Sequence, residues 1–312
     1  MFDDPTVLIL GAGASMPYGF PSGRSLLFNI TEELQKGLRH IKAGMDPDQS
    51  PVTYQAVKWF KFSDERIDDF TKALSKMMHP SIDAFLEMYP EYMLIGKVAI
   101  AARLIPYEVP EVITYRRRDT LEWYEYFFNL IRSPNIIQQG NLSVVTFNYD
   151  RSFEYFLYYA FMNSYHMDST QAIELMNQIP VLHIYGNLGA PKFLDKDGRD
   201  YEKHVSMESI QKCIDGLKII SEVEDTHPTF PQVHQTIDAA RRVIFLGFGF
   251  HPVNVQRLNL RSTKYLRVFG TVCNMKDGEI SRVRSTLDAY LNLDPILHDL
   301  DALNFLRATD YL

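Results

Sequence analysis

The chain has 312 residues with a formal net charge of −7, and 46% of its residues are hydrophobic against 23% charged. That balance is typical of a globular protein and excludes a chain that is disordered throughout. The negative charge argues against a broad nucleic-acid-binding face, because such a face must neutralise phosphates. A local arginine cluster, Arg116 to Arg118, is interpreted as a solvated turn before a helix.

The two cysteines, Cys213 and Cys273, do not have the paired spacing of a zinc site. We therefore expect neither a disulfide framework nor a bound metal, as in proteins of the reducing cytoplasm. No stretch reaches the roughly 20 apolar residues of a membrane-spanning helix, and the N-terminal apolar run is too short for a signal peptide. The sequence predicts a cytoplasmic protein that does not contact a membrane.

Short aliphatic runs predict the strands. They lack the alternation of polar and apolar residues that a half-exposed strand shows, so we expect a parallel sheet buried on both faces. The predicted strands cover residues 7–10, 143–147, 181–185, 243–248 and 266–271.

Between these runs the apolar residues recur with helical spacing. Ser22 is predicted to cap the first helix, whose buried face carries Leu26, Leu27, Ile30, Leu34 and Leu38. The other predicted helices cover residues 64–77, 81–88, 91–105, 120–132, 152–162, 170–177, 230–241 and 280–291. Residues 39–62 and 190–204 are predicted to be loops, and the second is also a candidate lid.

The order of these elements predicts an α/β fold: a Rossmann-like, doubly wound parallel sheet with a helical insertion and no zinc module. The predicted core is residues 1–38 and 141–312, and the insertion is residues 39–140. Aromatic residues crowd two of the helices, and core packing is favoured over an assembly surface.

The first strand runs into Gly11-Ala12-Gly13-Ala14-Ser15. Glycines permit a sharp turn and a close approach of the backbone to a ligand, and the N–H groups at the start of a helix attract anions. A Rossmann fingerprint would place a third glycine where this chain has Met16. The segment indicates a nucleotide site, the alternative being a glycine-rich connection.

Three more predicted strands end in residues that suit a ligand site. Asn148 and Asp150 follow the second strand, where ligands of open α/β sheets bind, although taken alone Asp150 is better interpreted as a helix cap. His183 and Tyr185 share one strand face before Gly186. A second glycine pair, Gly247-Phe248-Gly249, ends the fourth strand.

Taken in order, these segments resemble the sirtuin-like family. The matching residues are Gly11 to Ser15 with Gly19-Phe20-Pro21, Thr146 to Asp150, His183 to Gly186, and Leu246 to Gly249. The resemblance implies that the first glycine segment binds the diphosphate of NAD and that Asn148 and Asp150 lie beside the nicotinamide and its ribose. The family's catalytic histidine directly precedes a glycine. Here that position holds Tyr185, so His183 and Tyr185 remain alternatives.

Sirtuin deacylases carry a four-cysteine zinc module that two cysteines cannot build. The chain therefore resembles the zinc-free bacterial branch that hydrolyses NAD in antiphage defence. The resemblance implies an NAD+ glycohydrolase with NAD as substrate: Asn148 orients a water or the ribose, His183 acts as general base, and Asp150 holds the nicotinamide carboxamide. It further implies a homo-oligomer, a HerA-type ATPase as partner, and only indirect involvement of nucleic acid.

The main alternative is a non-catalytic module that senses NAD or a related nucleotide and regulates a partner assembly. A nicotinamide-dependent oxidoreductase is less favoured because the third glycine is missing. A deacylase is less favoured because the zinc module is missing.

Overall fold

A computed structural model describes residues 4–76, 81–114, 121–219, 229–260, 266–291 and 294–309. The arginine cluster at 116–118 lies outside the described residues. Within them, no helix combines the length and the apolar character needed to cross a bilayer.

The described strands form one parallel sheet of six, in the order β3-β2-β1-β4-β5-β6. The α/β, Rossmann-like doubly wound fold is thus confirmed. The strand order reverses beside β1, which pairs with β2 on one side and with β4 on the other. The strands are β1 (Thr6–Leu10), β2 (Leu142–Thr146), β3 (Val181–His183), β4 (Arg242–Leu246), β5 (Arg267–Thr271) and β6 (Ile296–His298).

The five predicted strands correspond to β1–β5, and every residue of β1 is buried. Three of them end earlier than predicted: β2 at Thr146, β3 at His183 and β4 at Leu246. Gly247 has a φ of +60°, which no β-strand residue adopts, so the chain leaves the sheet there. The short edge strand β6 was not predicted, because three residues carry no recognisable pattern.

Helices occupy most of the chain between the strands. They are α1 (Ala12–Ser15), α2 (Gly23–Lys42), α3 (Val52–Trp59), α4 (Asp64–Lys76), α5 (Ile82–Met88), α6 (Met93–Leu104), α7 (Pro110–Thr114), α8 (Trp123–Ile131), α9 (Pro134–Gln138), α10 (Ser152–Tyr165), α11 (Ser169–Met176), α12 (Met207–Gly216), α13 (Thr229–Ala239), α14 (Pro252–Arg257), α15 (Asp277–Leu291) and α16 (Ala302–Ala308). Short 3₁₀ turns cover Met16–Tyr18, Pro47–Gln49, Pro90–Tyr92 and Ile105–Tyr107.

The predicted start of α2 is confirmed, since Ser22 Oγ accepts a hydrogen bond from the N–H of Ser25 at 3.1 Å. The other predicted helices correspond to α4, α5, α6, α8, α10, α11, α13 and α15. The aromatic residues of α8 and α10 are largely buried, as expected of core helices.

The prediction of a loop over residues 39–62 is wrong. Helix α2 continues to Lys42, and α3 forms over Val52–Trp59. Tyr54 of α3 is fully buried and packs on Gly37 of α2, where a Cβ would lie 2.1 Å from the Tyr54 ring. Helix α3 is thus stabilised by tertiary packing, which a short segment does not reveal in its own pattern.

The described part of residues 39–140 contains helices and no strand, and α2 crosses the predicted boundary at residue 38. Residues 190–204 contain no helix or strand, as predicted, apart from an isolated bridge between Pro191 and Arg199.

Candidate functional site

A cavity of about 340 Å³ opens at the carboxyl edge of the sheet, within the size range of small-molecule sites. It lies where the strand order reverses, which is where ligands bind in this fold class. Residues that follow four different strands line it together with helix α5 of the insertion. The lining includes Gly11, Ala12 and Ser15 after β1, Phe147 to Asp150 after β2, Tyr185 after β3, and Phe248 and Gly249 after β4.

The two glycine segments hold each other in place beneath the cavity. The N–H of Gly11 donates to the carbonyl of Leu246 at 3.1 Å, and the N–H of Gly13 donates to that of Gly247 at 2.9 Å. A Cβ on Gly11 would lie 2.6 Å from the Gly247 oxygen. Glycine is therefore required at position 11 because the two loops pack closely against each other.

Four residues of the predicted ligand-binding set do not line the cavity, whereas Gly249 does; the four are Gly13, Ala14, Gly186 and Gly247. A Cβ built on Gly249 meets no atom within 4 Å. Gly249 therefore offers a position on the cavity wall at which a side chain can be added without displacing the protein.

Asn148 is held by the first glycine segment. Its Nδ2 donates to the carbonyl of Gly11 at 2.9 Å and to Ser15 Oγ at 3.0 Å. Because a carbonyl can only accept, the Gly11 contact assigns the amide orientation. No donor among the described residues reaches Asn148 Oδ1, so this oxygen is available to accept a hydrogen bond from a ligand in the cavity.

Asp150 serves both as a cap and as part of the cavity wall. Its Oδ1 accepts hydrogen bonds from the Ser152 N–H at 3.1 Å and from the Ser152 hydroxyl at the start of α10. It is buried and lines the cavity. Burial raises the pKa of the Asp150 carboxyl, and its hydrogen bonds with Ser152 and Ser15 oppose that rise.

His183 lies behind the cavity wall, with both ring nitrogens occupied. Nδ1 is 2.9 Å from the carbonyl oxygen of Asn148, and Nε2 is 2.6 Å from Glu154 Oε1. The carbonyl can only accept, so Nδ1 carries a proton, and a second proton is shared between Nε2 and Glu154 Oε1 in the short contact.

Burial lowers the pKa of His183, but the charge and hydrogen bond of Glu154 outweigh that effect, and the pKa is raised. With His183 protonated, the arrangement is a buried imidazolium–carboxylate pair. The Nδ1–H of His183 holds the Asn148 backbone in position through its hydrogen bond to the carbonyl.

Tyr185 faces the cavity instead. Its hydroxyl donates to Asn254 Oδ1 at 2.5 Å and accepts from Arg257 Nη1 at 2.7 Å. Burial raises the pKa of Tyr185 to about 12, with Arg257 opposing the rise, so the phenol is neutral. The structure thus brings Asn148, Asp150 and Tyr185 together and leaves His183 behind them.

Gly186 does not line the cavity. Its φ is +67°, and a Cβ there would lie 1.9 Å from the carbonyl oxygen of Gly216. Gly186 is therefore required for the close contact between the segment after β3 and the end of α12.

The insertion contributes acidic residues that the sequence analysis missed. Asp83 and Glu87 of α5 line the cavity. The Tyr149 hydroxyl donates to Asp83 Oδ1, and burial raises the pKa of Asp83. The periodicity that predicted α5 gives no indication of where its polar face points, so only the packing of the insertion reveals these carboxylates.

The candidate lid does not line this cavity. The carbonyls of Gly189, Ala190, Arg199 and Asp200 all accept hydrogen bonds from the buried Arg151 guanidinium. Within the candidate lid, Ala190, Arg199 and Asp200 are therefore hydrogen-bonded to the core through Arg151.

The chain matches no protein-family model, and it shows no significant similarity to a curated protein sequence. In the ranges that the structure describes, no group of three or more His, Cys, Asp and Glu side chains is placed to hold a metal ion.

Proposed function

We propose that the protein is an NAD+ hydrolase, which cleaves NAD+ and water to nicotinamide, ADP-ribose and a proton. One observation carries the proposal: the segments after four separate strands meet at one cavity, where the Asn148 amide is fixed with its oxygen free. The sirtuin-like motifs of the sequence supply the identity of the dinucleotide.

In the proposed reaction the bond between the ribose C1′ and the nicotinamide nitrogen breaks, and a water oxygen bonds to C1′. Asn148 Oδ1 accepts a hydrogen bond from this water or from a ribose hydroxyl. Asp150 accepts one from the nicotinamide carboxamide. The transition state carries positive charge on the ribose, as in other glycoside hydrolyses, and the acidic wall of Asp83 and Asp150 stabilises that charge.

The proposed role of His183 follows from its contacts. Acting as general base would require it to leave Glu154 or Asn148, since both nitrogens are occupied. We therefore assign it a positioning role: its Nδ1–H holds the Asn148 backbone, and through it the amide that contacts the substrate.

The assembly into a homo-oligomer, the role in antiphage defence and the HerA-type ATPase partner belong to this proposal through the family resemblance alone. The cytoplasmic location belongs to it through the two isolated cysteines of the sequence.

The test is nicotinamide release from NAD+ by the purified full-length chain, alone and at concentrations that favour self-association. Asn148→Ala is expected to lower turnover by about 10²–10³-fold, the usual effect of removing one preorganised polar group. Asn177→Ala is the matched control, because Asn177 is exposed at the end of α11. Full turnover by Asn148→Ala would remove the amide from the mechanism.

A second candidate is a module that binds NAD or a related nucleotide without cleaving it. It is favoured by the neutral Tyr185 phenol at the cavity wall and by the occupied ring of His183. Calorimetric binding of NAD+ without nicotinamide release in any assembly state would establish this candidate and exclude the hydrolase.

A further inference from the structure

Helix α8 of the insertion contacts both halves of the candidate site. On the side of the first glycine segment, the Trp123 indole N–H donates to the carbonyl of Ala14 at 2.7 Å. The backbone N–H of Tyr124 donates to the Tyr18 hydroxyl at 2.8 Å, and the two tyrosine rings stack with their centres 3.9 Å apart. Trp123 and Tyr124 are at most 1% exposed, so these hydrogen bonds form away from solvent. The start of α8 is therefore fixed to the segment that follows β1.

On the other side of the site, the Tyr124 hydroxyl lies 2.7 Å from Ser152 Oγ. Ser152 contacts Asp150 twice: its N–H donates to Oδ1 at 3.1 Å, and its hydroxyl contacts the same oxygen. All three side chains are buried, and Asp150 lines the cavity. A hydrogen-bonded chain thus runs from the insertion to the carboxylate that is proposed to hold the nicotinamide carboxamide.

The direction of this chain follows from the protons available. An ionised carboxylate can only accept, so the Ser152 hydroxyl directs its single proton to Asp150 Oδ1. Ser152 Oγ is then the acceptor of the Tyr124 hydroxyl. Burial, together with the charge of Asp150, raises the pKa of Tyr124 well above its usual range, so the phenol keeps its proton. Because each hydrogen bond polarises the next donor, the Tyr124 hydroxyl strengthens the bond from Ser152 to Asp150.

We propose that Tyr124 is a positioning residue of the candidate site: its hydroxyl acts through Ser152 to fix the Asp150 carboxylate and to stabilise its ionised form. The proposal rests on the hydrolase function for the role of Asp150 toward the substrate. The hydrogen-bonded chain itself does not depend on which reaction the site performs. The insertion then does more than cover the cavity, since α8 holds a carboxylate of the sheet edge in place.

Other ionisable groups lie near Asp150 as well. They are Glu154 on α10, His183 at the end of β3, Tyr201, and the carboxylates Asp83 and Glu87 of α5, which line the same cavity. The adjacent Arg151 guanidinium donates to Glu108 instead. Since the Tyr124 phenol is neutral, its replacement by phenylalanine leaves all these charges as they are. A change in the pKa of Asp150 on that replacement therefore reports on the hydrogen-bonded chain.

The experiment measures the pKa of Asp150 in the ligand-free full chain by carbon NMR of isotope-labelled aspartate carboxyls, with the signal assigned from Asp150→Asn. Tyr124→Phe is expected to raise this pKa by about 0.5, because one hydrogen bond of the chain is lost. Ser152→Ala is expected to raise it by about 1 or more, because it removes the hydroxyl that contacts the carboxylate. Tyr126→Phe is the matched control, at a half-buried tyrosine of α8 that does not line the cavity, and should leave the pKa of Asp150 unchanged.

A double variant separates an effect through Ser152 from a general disturbance of α8. In the Ser152→Ala background, Tyr124→Phe is expected to cause no further rise in the pKa of Asp150, because the chain is already broken. A further rise of the same size would overturn the proposal. Equal Asp150 pKa values in Tyr124→Phe and Tyr126→Phe would overturn it as well.

Nicotinamide release gives the second readout. Turnover that needs the ionised carboxylate is lost as the pH falls through the pKa of Asp150, so Tyr124→Phe is expected to move the acid limb of the pH profile to higher pH. An acid limb that stays in place while the pKa of Asp150 rises would overturn the link between Tyr124 and the reaction. A failure of the hydrolase proposal shows instead as absent nicotinamide release from the wild-type chain, with the NMR difference between Tyr124→Phe and Tyr126→Phe intact.

Discussion

Glu108→Gln tests how the segment between β3 and α12 is held. Glu108 is fully buried and accepts three N–H groups from Arg151 and Arg199. Glutamine preserves the shape of the side chain but removes the single negative charge. The two buried guanidinium groups thereby lose their shared counter-charge. In addition, the glutamine NH2 group replaces an oxygen acceptor with a donor that faces a guanidinium.

Breaking a buried ion pair by removing one partner costs about 3–5 kcal/mol. For a chain of 312 residues the unfolding entropy is about 0.65 kcal/mol/K, so each kcal/mol shifts the melting temperature by about 1.5 °C and the loss corresponds to roughly 5–8 °C. Because Arg151 also holds four carbonyls from Gly189 to Asp200, we expect the same substitution to expose this segment to proteases.

The assay is urea unfolding followed by circular dichroism at neutral pH, with limited proteolysis of the native protein. Glu111→Gln is the control: Glu111 is an exposed carboxylate on α7, and its substitution is expected to change the free energy of unfolding by less than about 0.5 kcal/mol. A loss below about 1 kcal/mol in Glu108→Gln would refute the reasoning, because it would mean that the two guanidinium groups do not need this carboxylate.

Two further predictions concern the candidate site. Gly249→Val is expected to weaken NAD+ binding at least about tenfold with little change in stability, since a Cβ there meets no protein atom. Gly278→Val on α15 is the control and should leave NAD+ binding unchanged. Equal calorimetric affinities of the two variants for NAD+ would contradict the cavity assignment. His183 has a folded-state pKa above its ordinary value of 6.5, so its pairing with Glu154 stabilises the protein fully below that pH and progressively less as the pH rises through the raised pKa. His183→Gln should therefore destabilise the protein more at about pH 6 than at about pH 9 in urea titrations, and a pH-independent difference would exclude the ion pair.

The sequence by itself determined the fold class and the edge of the sheet at which the candidate site lies. Aliphatic runs without polar alternation predict strands buried on both faces, hence parallel ones, and β1–β5 follow these runs. Since the carboxyl ends of parallel strands meet at one edge, Asn148 and Asp150 had to lie beside the first glycine segment.

Only the tertiary structure decided which side chains face the cavity. The prediction that His183 and Tyr185 share a face assumed a strand through Tyr185, but β3 ends at His183 and the chain turns before Gly186. The alternation of strand faces no longer applies beyond that point, so Tyr185 reaches the cavity while His183 pairs with Glu154.

Tertiary packing also decided the roles of the glycine segments and of the insertion. Gly11 and Gly247 are required by a contact between loops that are far apart in the chain, and Asp83 reaches the cavity because α5 packs over it. Local patterns record the preferences of neighbouring residues along the chain, whereas these contacts arise only when distant segments are packed together.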